Sequence, residues 1–432
     1  MNHLDERINI SEQLLYYVWR LKNFDLTALK TTTGQEVQII DFGQRNVDSG
    51  PDFHQARIKI DNQLWVGHVE MHVKSSDWNR HRHQEDKAFQ NVILHVVYEE
   101  DEIITLPNGE EMACLELKNR IAPGILRHYR YLMQAQAWIP CARNERVISG
   151  PALRAWYERV LVERLANKTN RISQVLEKTE QDWEETFYRL LGRNFGFNVN
   201  ADAFEALLIS LPRKILFKHK DKLLQIEALL FGQAGLLDES YEDDYARDLK
   251  SEYEYLRRKY SLIPIQSHLW KFMRMRPANF PTIRLAQFAV LFYKTAHLFS
   301  KMLAAKSVKE IHHMFESDVS GYWKSHYTFD KSSDKKSKKL GKNSIELILI
   351  NTVVPFLFRY GQVHMQQHLI DRAISFLDDL PAEKNQIIKH FRSLSFPVNS
   401  ALDSQALLQL KSTYCDSRRC LDCAIGNSIL KS

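Results

Sequence analysis

One stretch limits the folds open to this chain more than any other: Gly67-His68-Val69-Glu70-Met71-His72-Val73-Lys74-Ser75-Ser76-Asp77-Trp78. It alternates as a β-strand does, with side chains at i, i+2 and i+4 on one face. Val69, Met71 and Val73 then enter a core, while Glu70, His72 and Lys74 line the other face. Charge is costly to bury unless it is paired or bound to metal. The preceding Gly50-Pro51-Asp52-Phe53 brings a second carboxylate. Hard carboxylate oxygens suit Mg²⁺ or Mn²⁺, and a nearby ammonium adds electrostatic stabilisation to a phosphoryl group.

The flanking pattern gives this strand a setting. Residues 11–23 start at an N-cap serine and carry a helical apolar face. Glu36 to Asp41 reads as a short strand, and Asn46 to Gly50 as a turn. Phe53 to Ile60 and Gln63 to Val73 form a hairpin about Asp61-Asn62. Trp78 to Gln90 has helical spacing, and Val92 to Tyr98 reads as a buried strand. The expected fold class is therefore a mixed sheet flanked by helices over residues 1–125.

Pro51-Asp52 followed by Glu70 on the far strand of the hairpin resembles the restriction-endonuclease-like (PD-(D/E)XK) nuclease superfamily, over roughly residues 10–100. The resemblance implies Mg²⁺ held by Asp52 and Glu70, with a lysine positioning the attacking water. His72 stands where that lysine belongs, and Lys74 lies two residues further on. The catalytic set is thus Asp52, Glu70, His72 and Lys74, with Lys74 or His72 positioning water. Glu12 in the first helix, His68 on the same strand face, and His81 and His83 are auxiliary candidates. The chain as a whole also resembles an uncharacterised bacterial family that shares Gly-Pro-Asp-Phe, Val-Glu-x-His-Val-Lys-Ser-Ser-Asp-Trp and the C-terminal cysteines.

Three functional readings follow. The first is a metal-dependent endo- or exonuclease acting on DNA or RNA. The second is a non-catalytic nucleic-acid-binding or assembly protein that keeps the fold. The third is a zinc hydrolase using the histidines, since His81-x-His83 lies beside Asp77 and Asp86.

The cysteines form the second cluster. Cys415-x4-Cys420-x2-Cys423 places three of the chain's five cysteines within nine residues. Cys-x2-Cys lets two thiolates reach one metal from a tight turn. Cys141 is the preferred fourth ligand and Cys114 the second choice. Four thiolates fit Zn²⁺ or a [4Fe–4S] cluster.

Beyond residue 150 the texture becomes helical. A connector with Cys141 spans 126–150, and helical regions span 151–328 and 344–410. A basic stretch at 329–343 reads as a mobile surface loop, and residues 411–432 carry the cysteine motif. Lys271 to Arg284 interleaves basic and aromatic residues, so Arg274, Arg276 and Arg284 are candidate nucleic-acid contacts. A net charge of +6 permits a polyanionic partner. The polar N-terminal residues show no signal peptide, and Ile345 to Phe358 is interrupted by Glu346, Asn351 and Pro355. The expectation is a cytoplasmic protein with no membrane partner. No Walker motif or nucleophile elbow occurs in the sequence.

Overall fold

Ser11 opens the first helix: its hydroxyl accepts the Leu14 N–H, and α1 (Glu12–Arg20) buries Leu14, Leu15, Val18 and Trp19. The protein is described by a computed structural model over residues 10–143, 148–295, 297–316 and 318–432. The N-terminal residues read for a signal peptide, and residues 144–147 of the connector, lie outside the described residues. The chain divides into two units. One holds the residues through Trp156 together with Leu410–Ser432, and the other is Tyr157–Gln409.

The first unit is built on the expected hairpin. Its strands are β1 (Val37–Asp41), β2 (Gln44–Arg45), β3 (Phe53–Ile60), β4 (Gln63–Lys74), β5 (Val92–Glu99) and β6 (Cys114–Glu116). The sheet order is β1-β3-β4-β5-β6, with β2 also pairing β3. β3 runs antiparallel to β1 and β4, whereas β5 runs parallel to β4 and to β6. Phe53 pairs with Val69, which sets Asp52 beside Glu70. Val69 and Met71 are fully buried, as their face requires, but Glu70 and His72 are buried too. Where β4 meets β5 the backbones crowd. A β-carbon on Gly67 would lie 2.5 Å from the Asn91 carbonyl oxygen, so only glycine fits there.

The helix expected over Trp78 to Gln90 is broken. α2 (Asp77–Arg80) is one turn, and two 3₁₀ turns follow at His83–Glu85 and Lys87–Phe89. Arg82 sits at φ 60°, and the Asp86 carboxylate caps the second turn through the Ala88 N–H. The segment has too few apolar residues for a helical stripe. Its two large ones, Trp78 and Phe89, pack into a cluster with Val92, Ile104 and Met112. α3 (Pro123–Gln134) follows β6, and α4 (Gly150–Lys178) contains the boundary between the units.

The second unit is helical apart from a small hairpin, β7 (His326–Thr328) with β8 (Lys331–Ser332). That hairpin changes the reading of the basic stretch, which is anchored. Lys338 is buried, its ammonium donates to the His326 carbonyl at 2.7 Å, and it lies 3.6 Å over the Tyr327 ring. Lys342–Val363 forms a continuous 22-residue helix, longer than its apolar run alone implied. By length and composition it is able to cross a membrane, yet 67% of its most apolar window is buried inside the protein. The cysteine motif belongs to the first unit.

Candidate metal centre

The β4 strand places Glu70 and His72 two residues apart on one face, and the broken segment after it swings His81 and His83 back over them. His72 Nε2 lies 3.2 Å from His81 Nδ1 and 3.3 Å from His83 Nε2. Glu70 Oε1 lies 3.4 Å from His83 Nε2 and 3.6 Å from His72 Nε2. Ligands held ~2.0–2.1 Å from a tetrahedral metal stand roughly 3.3–3.4 Å apart. Three donors thus crowd within 3.2–3.6 Å of His72 Nε2, close to the separation of ligands that share one metal. Among the described residues, His72, His81 and His83 form the one group of three or more His, Cys, Asp or Glu whose donor atoms lie within 4.8 Å of one another.

The surroundings favour the uncharged forms of His72, His83 and Glu70. Burial, then the neighbouring His95, His83 and His81, holds His72 neutral far below its usual range. Burial and His81 bring His83 down to about 4. Burial and the Asp52 charge push the Glu70 carboxyl up to about 9. His81 Nδ1 and His83 Nε2 both stand 3.2–3.3 Å from His72 Nε2, so three ring nitrogens converge where one cation can take them. His72 Nδ1 is 2.8 Å from His95 Nε2, so Nε2 is the nitrogen turned to the cluster. With His72 donating from Nδ1, His95 carries its proton on a buried Nδ1 that has no partner. Such an orphan costs about 1–3 kcal/mol. Phe89 stacks on His83 at 3.8 Å and Trp78 packs edge-on against it at 5.3 Å, fixing its ring.

Asp52 stands beside the centre with its oxygens committed. Oδ1 takes the Arg45 guanidinium at 2.8 Å and Oδ2 accepts the Met71 N–H at 3.1 Å. Its own N–H donates to Glu70 Oε2 at 3.0 Å, leaving Glu70 Oε1 for the cluster. The donor set on offer is thus mostly nitrogen, which suits zinc and other transition metals better than Mg²⁺. Lys74 does not join it. Its side chain is 54% exposed and pairs with Asp101 at 3.4 Å. Glu12 turns inward: its carboxylate accepts from Tyr16 at 3.4 Å and feels the charges of Asp52 and His81. His68 meets His54 edge-on at 4.6 Å. Arg45 and Tyr16 escaped the sequence reading. The Arg45 guanidinium stacks 3.7 Å over the Tyr16 ring, and Glu12-x3-Tyr16 is the helical spacing that put the tyrosine on the site face.

The other predicted residues lie elsewhere. Arg284 is buried and bound to Gln287 at 2.9 Å and Asn279 at 2.7 Å, with Phe197 under its guanidinium, so it holds the fold together and reaches no backbone in solvent. Arg274 and Arg276 are exposed. Cys141, Cys415, Cys420 and Cys423 all belong to the first unit, and burial, with neighbouring thiols second, pushes the Cys420 thiol up to about 12. Cys114 is buried in β6, where Thr32 and Glu100 surround it. Compared with known proteins, residues 12–386 match a family described as "Protein of unknown function (DUF2851)". No curated protein and no solved structure matches the chain.

Proposed function

The chain belongs to the DUF2851 family, whose description carries no activity, and we propose that it is a metal-dependent hydrolase of phosphodiester bonds in DNA or RNA. The carrying observation is the convergence of His81 Nδ1, His83 Nε2 and Glu70 Oε1 on His72 Nε2 at 3.2–3.6 Å. This keeps the hydrolase expectation and moves its metal ligands from Asp52 and Glu70 to Glu70 and the three histidines. A transition metal there supplies Lewis acidity to a phosphoryl oxygen. The protein's own groups do the rest. Arg45, fixed by Asp52 and Tyr16, presents positive charge beside the centre. Glu12 faces the same space from α1 and is placed to hold or give a proton. His81 is the exposed member, so the side it covers is the open one.

A second reading has its own support: four protein ligands can close a tetrahedron, as structural sites do. The protein would then bind nucleic acid without turnover. Incubation of end-labelled single-stranded DNA, duplex DNA and RNA with Mn²⁺, Zn²⁺, Co²⁺ or Mg²⁺ separates the two. Cleavage that drops at least ~100-fold in His72→Ala and His83→Ala supports the hydrolase. Metal bound at this centre with no cleavage of any substrate supports the closed site. Cleavage undiminished in Glu70→Ala and His72→Ala removes the proposed centre.

A further inference from the structure

Arg284 is a charge that the hydrolase reading leaves unused. It lies in the first turn of the helix Pro281–Lys294 and is 6% exposed. Its hydrogen-bond partners are neutral: Gln287 Oε1 at 2.9 Å, Asn279 Oδ1 at 2.7 Å and Ser344 Oγ at 3.3 Å. The Phe197 ring lies 4.6 Å from the guanidinium carbon, which compensates the charge only in part. Among the described residues Arg284 makes no ion pair, and burial alone brings its pKa down to about 10. Its Nε–H is buried and has no hydrogen-bond partner. A buried cation without a counter-charge is costly, and arginine is seldom fully buried unless paired.

The same side chain lines a pocket of about 340 Å³, within the range of small-molecule sites. Its walls come from the corner between the helices Trp183–Phe195 and Phe197–Ser210, from the segment that leads into the Arg284 helix, and from Ser344 and Leu347. The corner is firmly built. Phe197 is held at φ 49°, in the left-handed region that bulky residues avoid, and such strain gathers at ligand sites. A β-carbon on Gly196 would lie 2.3 Å from the Asn200 carbonyl oxygen, so the corner closes only on glycine. Asn200 in turn clamps the Lys271 backbone: its amide donates to the Lys271 carbonyl at 3.0 Å, and its side-chain oxygen accepts the Lys271 N–H at 2.8 Å. That clamp, with the Asn200 amide 3.8 Å from Met275 Sδ, fixes the second wall. Val199, Met275 and Leu347 make much of the lining apolar, and Val199 stays 46% exposed. The pocket shares Phe197, Asn198 and Leu347 with a wider cavity of about 960 Å³, which gives a ligand a way in.

We propose that this pocket binds a small organic anion, one carboxylate or phosphate group on an apolar body, with the Arg284 guanidinium as its counter-charge. The acid group supplies the negative charge that Gln287, Asn279 and Ser344 lack, and the apolar body meets Phe197, Val199 and Leu347. The pocket belongs to the helical unit and the histidine centre to the other, so this inference holds with or without the hydrolase reading.

The test titrates the full chain with benzoate, hexanoate, phenyl phosphate and inorganic phosphate by calorimetry. At least one of the organic anions should bind with a Kd of about 1 mM or tighter. It should bind at least ~10-fold more tightly than inorganic phosphate, which lacks the apolar body. The tighter of benzoate and phenyl phosphate tells which acid group the pocket takes. Arg284→Met removes the charge and should weaken that binding at least ~10-fold. Val199→Trp changes an exposed residue, fills the pocket and should weaken binding as much; it carries the test if Arg284→Met does not fold. His72→Ala/His83→Ala should leave the binding within about twofold of the parent. Binding of none of the organic anions, inorganic phosphate binding as tightly as all of them, or binding that survives Val199→Trp overturns the pocket. So does binding lost with the two histidines, which would put the anion at the metal centre.

Discussion

Two polar clusters, one in each unit, show what buried polarity does and does not mean. In the helical unit, the Lys168 ammonium donates to Gln405 Oε1 at 2.7 Å, Asn351 Oδ1 at 2.9 Å and the Ile350 carbonyl at 3.3 Å. Arg164 donates to the same Gln405 oxygen at 2.6 Å, while the Gln405 amide donates to Glu383. Donors meet acceptors throughout, so the network is complete without a ligand. In the sheet unit, imidazole nitrogens face imidazole nitrogens and Glu70 sits beside Asp52. Ring nitrogens and a carboxylate oxygen, all able to ligate, meet there within 3.2–3.6 Å of His72 Nε2, where one cation can bridge them. Both clusters are rich in polar groups; only the histidine cluster calls for an outside cation.

That contrast orders the expected effects of mutation. His72→Ala should reduce metal affinity by at least ~100-fold, read by competition with a chelator, and leave the far-ultraviolet circular dichroism unchanged. Retained affinity would break the contrast at its strong end. His95→Leu removes only the partner of His72 Nδ1 and should cost ~10–100-fold in the same assay. In the helical unit the currency changes. Lys168→Met removes three hydrogen bonds and should lower unfolding stability by ~1–3 kcal/mol in urea titration, with metal content untouched. Lys74→Ala breaks an exposed pair with Asp101 and should cost under ~1 kcal/mol and less than about twofold in any cleavage rate. A large loss of activity in Lys74→Ala would restore that lysine to the chemistry and sink the account of its position.

The hairpin was legible because its period of two is a local property of the chain. The alternation from Phe53 to Ile60 and from Gln63 to Val73 matches β3 and β4 closely. The inward face of Glu70 and His72 followed from the same alternation. Lys74 obeys the alternation too, but it stands at the strand's exposed end, where Asp101 meets it. Strand phase gives direction, and depth along the strand depends on neighbours far away in sequence. The histidine centre was only half legible. His81-x-His83 was visible as a pair, yet its approach to Glu70 needs the left-handed Arg82 and the broken helix between Trp78 and Phe89. Helical spacing of polar residues concealed that break. Arg284 misled for the opposite reason: its neighbours read as a basic, aromatic surface, whereas tertiary packing with Asn279, Gln287 and Phe197 buries it. The Cys-x2-Cys spacing is local and visible in the sequence, whereas what its thiols meet depends on distant parts of the chain.

The central claim is that the nitrogen-rich cluster on β4 holds a metal. Cobalt- or zinc-loaded full-length protein carrying Cys420→Ser and Cys423→Ser leaves this centre as the one to be read. Its X-ray absorption spectrum should show about three to four nitrogen or oxygen neighbours at roughly 2.0–2.1 Å with imidazole scattering behind them. Adding His72→Ala and His83→Ala should abolish that shell. A protein that takes up no metal, or whose nitrogen shell survives loss of both histidines, would contradict the account.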